Sequence, residues 1–160
     1  MLAFTGHRPE KLPWGQDESD PRCAALKLRI RGELRQAIAE GVRDFACGMA
    51  RGCDFYFAEA VLVEKELCPD IRLFAYLPCP GQPDRWASAD RIRYRTLLAH
   101  CDKVRMVQDG YTAGCMLRRN RIMVDEASAL MSVWDGSNGG TGAAVAYAKR
   151  RGRRLIPLWL

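Results

Sequence analysis

Six short apolar runs separated by stretches of helical patterning leave this chain few folds to choose from. The runs are residues 2–5, 44–47, 71–77, 103–107, 129–134 and 154–158. Residues 21–40, 54–67, 85–100, 116–126 and 141–151 between them read as helices. In the first helix Leu26, Ile30, Leu34 and Ile38 recur every fourth position, a single apolar stripe that Gly41 ends. Strands separated by helices favour a parallel sheet with both faces covered, because each crossover returns over one face. The pattern predicts one α/β domain over residues 1–160, a three-layer sandwich with a mostly parallel sheet of about six strands. No repeat or linker interrupts it. Residues 9–21, rich in Pro, Gly, Asp and Ser, form the one long loop, a lid or a simple connection.

Composition removes several function classes. The chain is 48% hydrophobic and 28% charged, and no apolar run approaches the ~20 residues that span a bilayer. A strand-like run at Leu2 leaves no room for a signal peptide, so a cytoplasmic protein without membrane contact is expected. Seven cysteines include no Cys-x-x-Cys pair, and His7 and His100 are the only histidines. That argues against a metal site and for buried free thiols. The net charge is +6, and 20 of the 25 basic residues are arginine, the side chain suited to planar recognition of phosphate. The block Lys149-Arg150-Arg151-Gly152-Arg153-Arg154 ends a helix, where cations offset the helix dipole. Without basic residues interleaved with aromatics, nucleic acid is not the expected partner.

Ligands of parallel sheets bind at the carboxyl ends of the strands, and the unusual residues gather there. Thr5-Gly6-His7-Arg8-Pro9 follows the first strand, and Gly48-Met49-Ala50-Arg51-Gly52-Cys53-Asp54 the second. Pro78, Arg85 and Trp86 follow the third, and Trp134-Asp135-Gly136-Ser137-Asn138-Gly139-Gly140-Thr141 the fifth. A glycine turn opening a helix lets backbone N–H groups close on a phosphate. Two such turns point to a nucleotide-derived small molecule, with no cofactor required. Thr141 is a helix cap or a phosphate donor, Asp54 a cap or a ligand contact, and Asp135 a ribose contact or a cap. His7 and Arg8 are candidates for a general acid or a phosphate clamp. Trp86 and Tyr111 are candidates for stacking on a base. Met116, Arg119, Asn120 and Met123 share one helix face, which makes Arg119 the inward arginine and leaves Arg118 and Arg121 to solvent. No Gly-Lys-Ser/Thr loop is present, and the late glycines do not fit a dinucleotide fingerprint.

The first loop resembles the Gly-x-Ala-Arg-Gly-x-Asp loop of the DNA-processing protein A (Smf) family. Met116-x-x-Arg119-Asn120-x-x-Met123 with Gly139-Gly140-Thr141 resembles the motif of the LOG cytokinin-activating enzymes. Both belong to the SLOG superfamily of Rossmann-like folds. The order Thr5-Gly6-His7-Arg8-Pro9, Trp86, Arg119-Asn-x-x-Met-Val-Asp125 and Gly-Gly-Thr resembles its DUF1273, YpsA-like family across nearly the whole chain. The resemblance implies an ADP-ribose-like, NAD-derived or nucleoside monophosphate ligand and a homodimer or higher homo-oligomer. The strand-end loops and the face of the 116–126 helix, taken with the resemblance, make ligand contacts expected at Thr5, Gly6, His7, Arg8, Gly48, Met49, Ala50, Arg51, Gly52, Asp54, Pro78, Trp86, Arg119, Asn120, Asp135, Gly136, Gly139, Gly140 and Thr141.

LOG enzymes cleave a base from a ribose 5′-monophosphate with the motif arginine, matched by Arg119, and a glutamate just after Gly-Thr. Here Gly142-Ala143-Ala144-Val145 stands in that place. Cleavage of an N-glycosidic bond needs a carboxylate to stabilise the sugar cation or activate water, and Asp135 or Glu59 are the substitutes on offer. Three readings remain open. The first is a binding module that senses or sequesters a nucleotide signal, including a phage-encoded sponge. The second is a phosphoribohydrolase using His7, Arg119 and Asp135. The third is a single-stranded nucleic-acid binder.

Overall fold

Each of the six apolar runs forms a strand, and all join one parallel sheet in the order β4-β3-β2-β1-β5-β6. The computed structural model describes residues 1–160. In chain order the elements are β1 (Leu2–Gly6), α1 (Pro21–Ala39), β2 (Asp44–Cys47), α2 (Cys53–Leu67), β3 (Arg72–Leu77), α3 (Ser88–Ala99), β4 (Lys103–Met106), α4 (Cys115–Glu126), β5 (Ala129–Trp134), α5 (Gly140–Arg150) and β6 (Arg154–Trp159). The sheet is parallel throughout, so the three-layer α/β sandwich expected from the sequence is the fold.

Alternation along the strands decides which residue meets which layer. Leu2 and Phe4 join a core of 28 buried residues beneath α1 and α2, while Ala3 joins a second core of eight beneath α4 and α5. The first core is built on large side chains, with Phe4 stacked on Phe57 at 4.5 Å between ring centroids. The second uses Ala3, Ala46, Ala127 and Ala148, which let α4 and α5 lie close to the sheet. The edge strands carry the deterrents to further pairing that edges need: Lys103 and Arg105 on β4, and Pro157 on β6.

Helix α1 starts at the Asp20 cap, whose carboxylate accepts the Arg22 N–H at 2.7 Å, with Pro21 in the first turn. Helix α3 starts three residues later than its pattern suggested, because Pro83 to Trp86 form a turn closed by a Trp86 N–H to Pro83 C=O bond of 3.0 Å. The 9–21 loop is neither a free lid nor a bare connection. A 3-10 turn covers Pro9–Lys11, and Leu12 and Trp14 are buried in the larger core.

Glu64 is a buried carboxylate on the inner face of α2, accepting hydrogen bonds from Arg31 and Arg35 of α1. Burial alone would raise its pKa, and the two arginines outweigh that and hold it below the ordinary value. A depressed folded pKa contributes stability that is present above the unfolded value of about 4.3 and lost as the pH falls through the folded value. Glu64→Gln is expected to cost about 1–2 kcal/mol at pH 7. The variant's melting temperature should also fall less than the parent's between pH 5 and pH 3. Parallel thermal melts at the two pH values check this, and an unchanged acid limb would refute it.

Candidate functional site

The chain travels outward from β1 through β2, β3 and β4, then returns to place β5 against the other side of β1. This reversal splays the loops that follow β1 and β5 and opens a crevice at their carboxyl ends. A cleft of about 350 Å³ lies there, lined by Thr5 and Gly6 at the end of β1, by His7 and Arg8 just after it, from the first glycine loop by Ala50 and Asp54, from α4 by Arg119 and Asn120, and from the start of α5 by Gly139, Gly140 and Thr141. That volume lies at the small end of the range for small-molecule pockets.

The two glycine loops do different work. In the first, the glycines let protein atoms approach each other. A Cβ on Gly48 would lie 1.6 Å from Arg119 Nη1, and one on Gly52 would lie 2.8 Å from the His7 carbonyl oxygen. Gly52 also has φ +82°, open to glycine and strained for other residues. Met49 adopts φ 54° without being glycine, and the Gln82 amide holds it there by donating to the Met49 carbonyl at 2.7 Å and the Gly48 carbonyl at 3.2 Å. The start of α2 already faces an anion of its own, because the Asp54 carboxylate accepts the Ala50 N–H at 3.1 Å. The second loop is open. No side chain caps α5, and a Cβ on Gly140 would meet nothing within 4 Å. Its first N–H groups therefore face the cleft without an internal acceptor.

Arg119 forms the floor. It is 4% exposed, its Nη1 donates to the Tyr76 carbonyl at 3.0 Å, and its Nε has no partner. No carboxylate lies within ion-pair distance of it. Burial pushes its pKa down, and Asp54 opposes that. The Asp54 carboxyl is pushed up by the same burial, with Arg119 and then the Ala50 N–H opposing. The site thus holds a buried cation and a buried acid, neither in an ion pair.

His7 is buried, with its Nε2 at hydrogen-bond distance, 2.7 Å, from Asp135 Oδ1. Asp135 also accepts the Ser137 N–H at 2.9 Å. Ser137, and after it His7, hold the Asp135 carboxyl far below its usual pKa. The pair braces the second loop against β1. Thr141 does the same: its hydroxyl donates to the Gly6 carbonyl at 3.1 Å and does not cap α5.

Among the residues singled out in the sequence, Gly48, Met49, Arg51, Gly52 and Asp135 are outside the lining and support it through the contacts above, while Gly136 is exposed and touches none of it. Pro78 and Trp86 lie away from the cleft. Trp86 packs edge-on to Phe55 and Tyr94 as core, and Tyr111 is exposed elsewhere. Glu59, offered as a substitute carboxylate, pairs with Arg93 outside the cleft. Sequence reasoning missed Glu10, Lys11 and Phe4 in the lining, and Gln82 behind it. Met116, read as a face marker for α4, also lines the cleft.

A family model described as the YspA SLOG family matches residues 2–153. The chain belongs to the YspA SLOG family. The SPbeta prophage-derived protein YoqJ of Bacillus subtilis is 25% identical over 144 residues, covering 82% of this chain and 84% of YoqJ. A UPF0398 protein of Halalkalibacterium halodurans is 26% identical over 155 residues, covering 94% of this chain and 81% of that relative. Among solved structures, DNA processing protein A from Helicobacter pylori, described for its single-stranded DNA binding mode, superposes with a TM-score of 0.67 at 15% identity. Its counterpart from Streptococcus pneumoniae gives 0.64 at 14%. Both alignments cover 98% of this chain, but only 63% and 49% of the respective neighbours. At these identities the likeness establishes the shared fold. No helix is long and apolar enough to cross a membrane.

Proposed function

We propose that the cleft binds a phosphorylated, nucleotide-derived small molecule, and that the protein works as a sensor or sequestering module for it. The observation that carries this reading is Arg119, a buried guanidinium on the cleft floor with no carboxylate paired to it. An uncompensated buried charge is costly, and a ligand anion between Arg119 and the open start of α5 would offset that cost. Asp54 then suits the hydroxyls of a sugar. Binding is favoured over turnover because no carboxylate follows Gly140-Thr141, and Asp135 is engaged by His7 and Ser137. The homo-oligomer implied by the family resemblance belongs to the same proposal and is read by light scattering.

The test is a thermal-shift and calorimetry panel of AMP, ADP-ribose, NAD and cyclic nucleotides. A ligand at a hundred times its Kd stabilises by about 2.7 kcal/mol, which for a chain of this size is a rise of roughly 5–10 °C. If no member of the panel shifts the melt or binds in the calorimeter, the reading is wrong.

A second reading, single-stranded nucleic acid, draws on the Helicobacter pylori neighbour, which stands in tension with the sequence-based expectation against nucleic acid. Its specific support is a groove between α4 and α5 that shares Asn120 with the cleft and carries Arg121 and Arg150, neither of them in an ion pair. Anisotropy with a labelled single strand distinguishes the two. The nucleic-acid reading requires affinity that falls steeply with salt and a competitor strand that displaces AMP.

A further inference from the structure

The 3-10 turn Pro9–Lys11 sets two oppositely charged side chains at the mouth of the cleft, and each reaches a different glycine loop. Glu10 pairs with Arg51 of the first loop, and Arg51 also contacts Asp90 at 3.4 Å. Lys11 Nζ donates to the Ser137 hydroxyl at 3.0 Å and to the Asn138 carbonyl at 2.7 Å in the second loop. The ammonium lies so close to the backbone that a Cβ on Gly139 would come within 3.2 Å of it. The turn itself is held firmly. Pro9 packs on Gly52, and Leu12 and Trp14 behind it are buried in the main core. Glu10 and Lys11 themselves are exposed, so movement at this place belongs to the two side chains and not to the backbone.

We propose that Lys11 is an anion-binding residue of the cleft, a latch that exchanges its two neutral acceptors in the second glycine loop for the phosphate of the ligand. The inference rests on the anionic ligand proposed above and names the residue that selects for its charge. Both present acceptors, a hydroxyl and a carbonyl, are neutral. A phosphate at the start of α5 offers a full charge at the same place, and charge-assisted hydrogen bonds are roughly twice as strong as neutral ones. A lysine stem has the rotamer freedom to make the exchange without moving the turn. Glu10 would repel the same anion, and its pairing with Arg51 compensates that charge. The cleft mouth therefore favours a terminal phosphate over an uncharged nucleoside.

The experiment is calorimetry with inorganic phosphate, AMP and adenosine on the full chain and on Lys11→Met, whose exposed position leaves the fold intact. The expected result is an AMP and phosphate affinity about tenfold weaker in the variant, with adenosine within twofold. Hydrogen exchange in the absence of nucleotide gives a second readout, with the amides of residues 137–139 exchanging at least about fivefold faster in Lys11→Met. AMP and phosphate affinities within twofold of the parent overturn the proposal. A parent protein that binds phosphate in a Lys11-dependent way but no nucleotide overturns the proposed function alone. A parent that binds neither overturns both.

Discussion

Gly48→Ala is expected to destabilise the protein by on the order of 3 kcal/mol, and removal of Arg119 is expected to relieve most of that loss. The added methyl would sit 1.6 Å from Arg119 Nη1 and 2.1 Å from its Cζ. No rotation of the methyl avoids the clash, so either the guanidinium leaves the cleft floor or the first glycine loop shifts. The loop cannot shift cheaply, because Gln82 holds its carbonyls and Gly52 is packed against the end of β1. The guanidinium loses its bond to the Tyr76 carbonyl if it moves. A melting temperature lower by roughly 10 °C follows for a chain of this size. In Gly48→Ala/Arg119→Ala the methyl enters the space the arginine vacated. The two single effects should then exceed the double effect by about 1–3 kcal/mol. Chemical denaturation of the four proteins measures the cycle. Additivity within about 0.5 kcal/mol would show that Gly48 is not there to admit Arg119.

Arg119→Met is expected to separate stability from function. The methionine fills much of the arginine stem's volume and removes a buried charge that has no ion-pair partner. The protein measured without nucleotide should stay within about 2 kcal/mol of the parent, because relief of the buried charge offsets the lost Tyr76 bond and the lost attraction to Asp54. Any melting shift produced by the nucleotide panel should disappear, and the affinity should fall at least about a hundredfold, the scale of a lost charge-assisted pair. Arg119→Lys keeps the charge and loses the planar fork, so it should retain part of the affinity. A large loss of stability in Arg119→Met with nucleotide binding intact would recast Arg119 as structural support for Gly48 and Tyr76.

Periodicity made much of this legible. The apolar runs and the Leu26-Ile30-Leu34-Ile38 stripe led to the strands and helices, since local backbone preference and burial agree along the whole chain. The spacing of Met116, Arg119, Asn120 and Met123 pointed to Arg119 as the inward arginine, and in the structure it is buried while Arg118 and Arg121 are exposed. Periodicity left Trp86 undecided, because an aromatic near a strand end carries no mark that separates a stacking platform from a core contact, and in the structure it packs on Phe55 and Tyr94. The same reading passed over Lys11 and Gln82, whose importance comes from partners distant in the chain.

The sequence by itself determined the layers, the parallel sheet and the sheet edge at which the unusual residues gather, because these follow from local spacing and from which side chains must leave water. Only the tertiary structure decided what each glycine loop is for. Both loops read alike as phosphate turns. Insertion of β5 beside β1 brings His7 onto Asp135 and Lys11 onto Ser137, contacts that brace the second loop from its flanks, while Arg119 seated against Gly48 closes the first loop on the protein's own groups. The second remains open to the cleft because nothing in the chain reaches Gly140. Contacts of this kind depend on strand order, a property of the whole assembled sheet that no stretch of local sequence encodes.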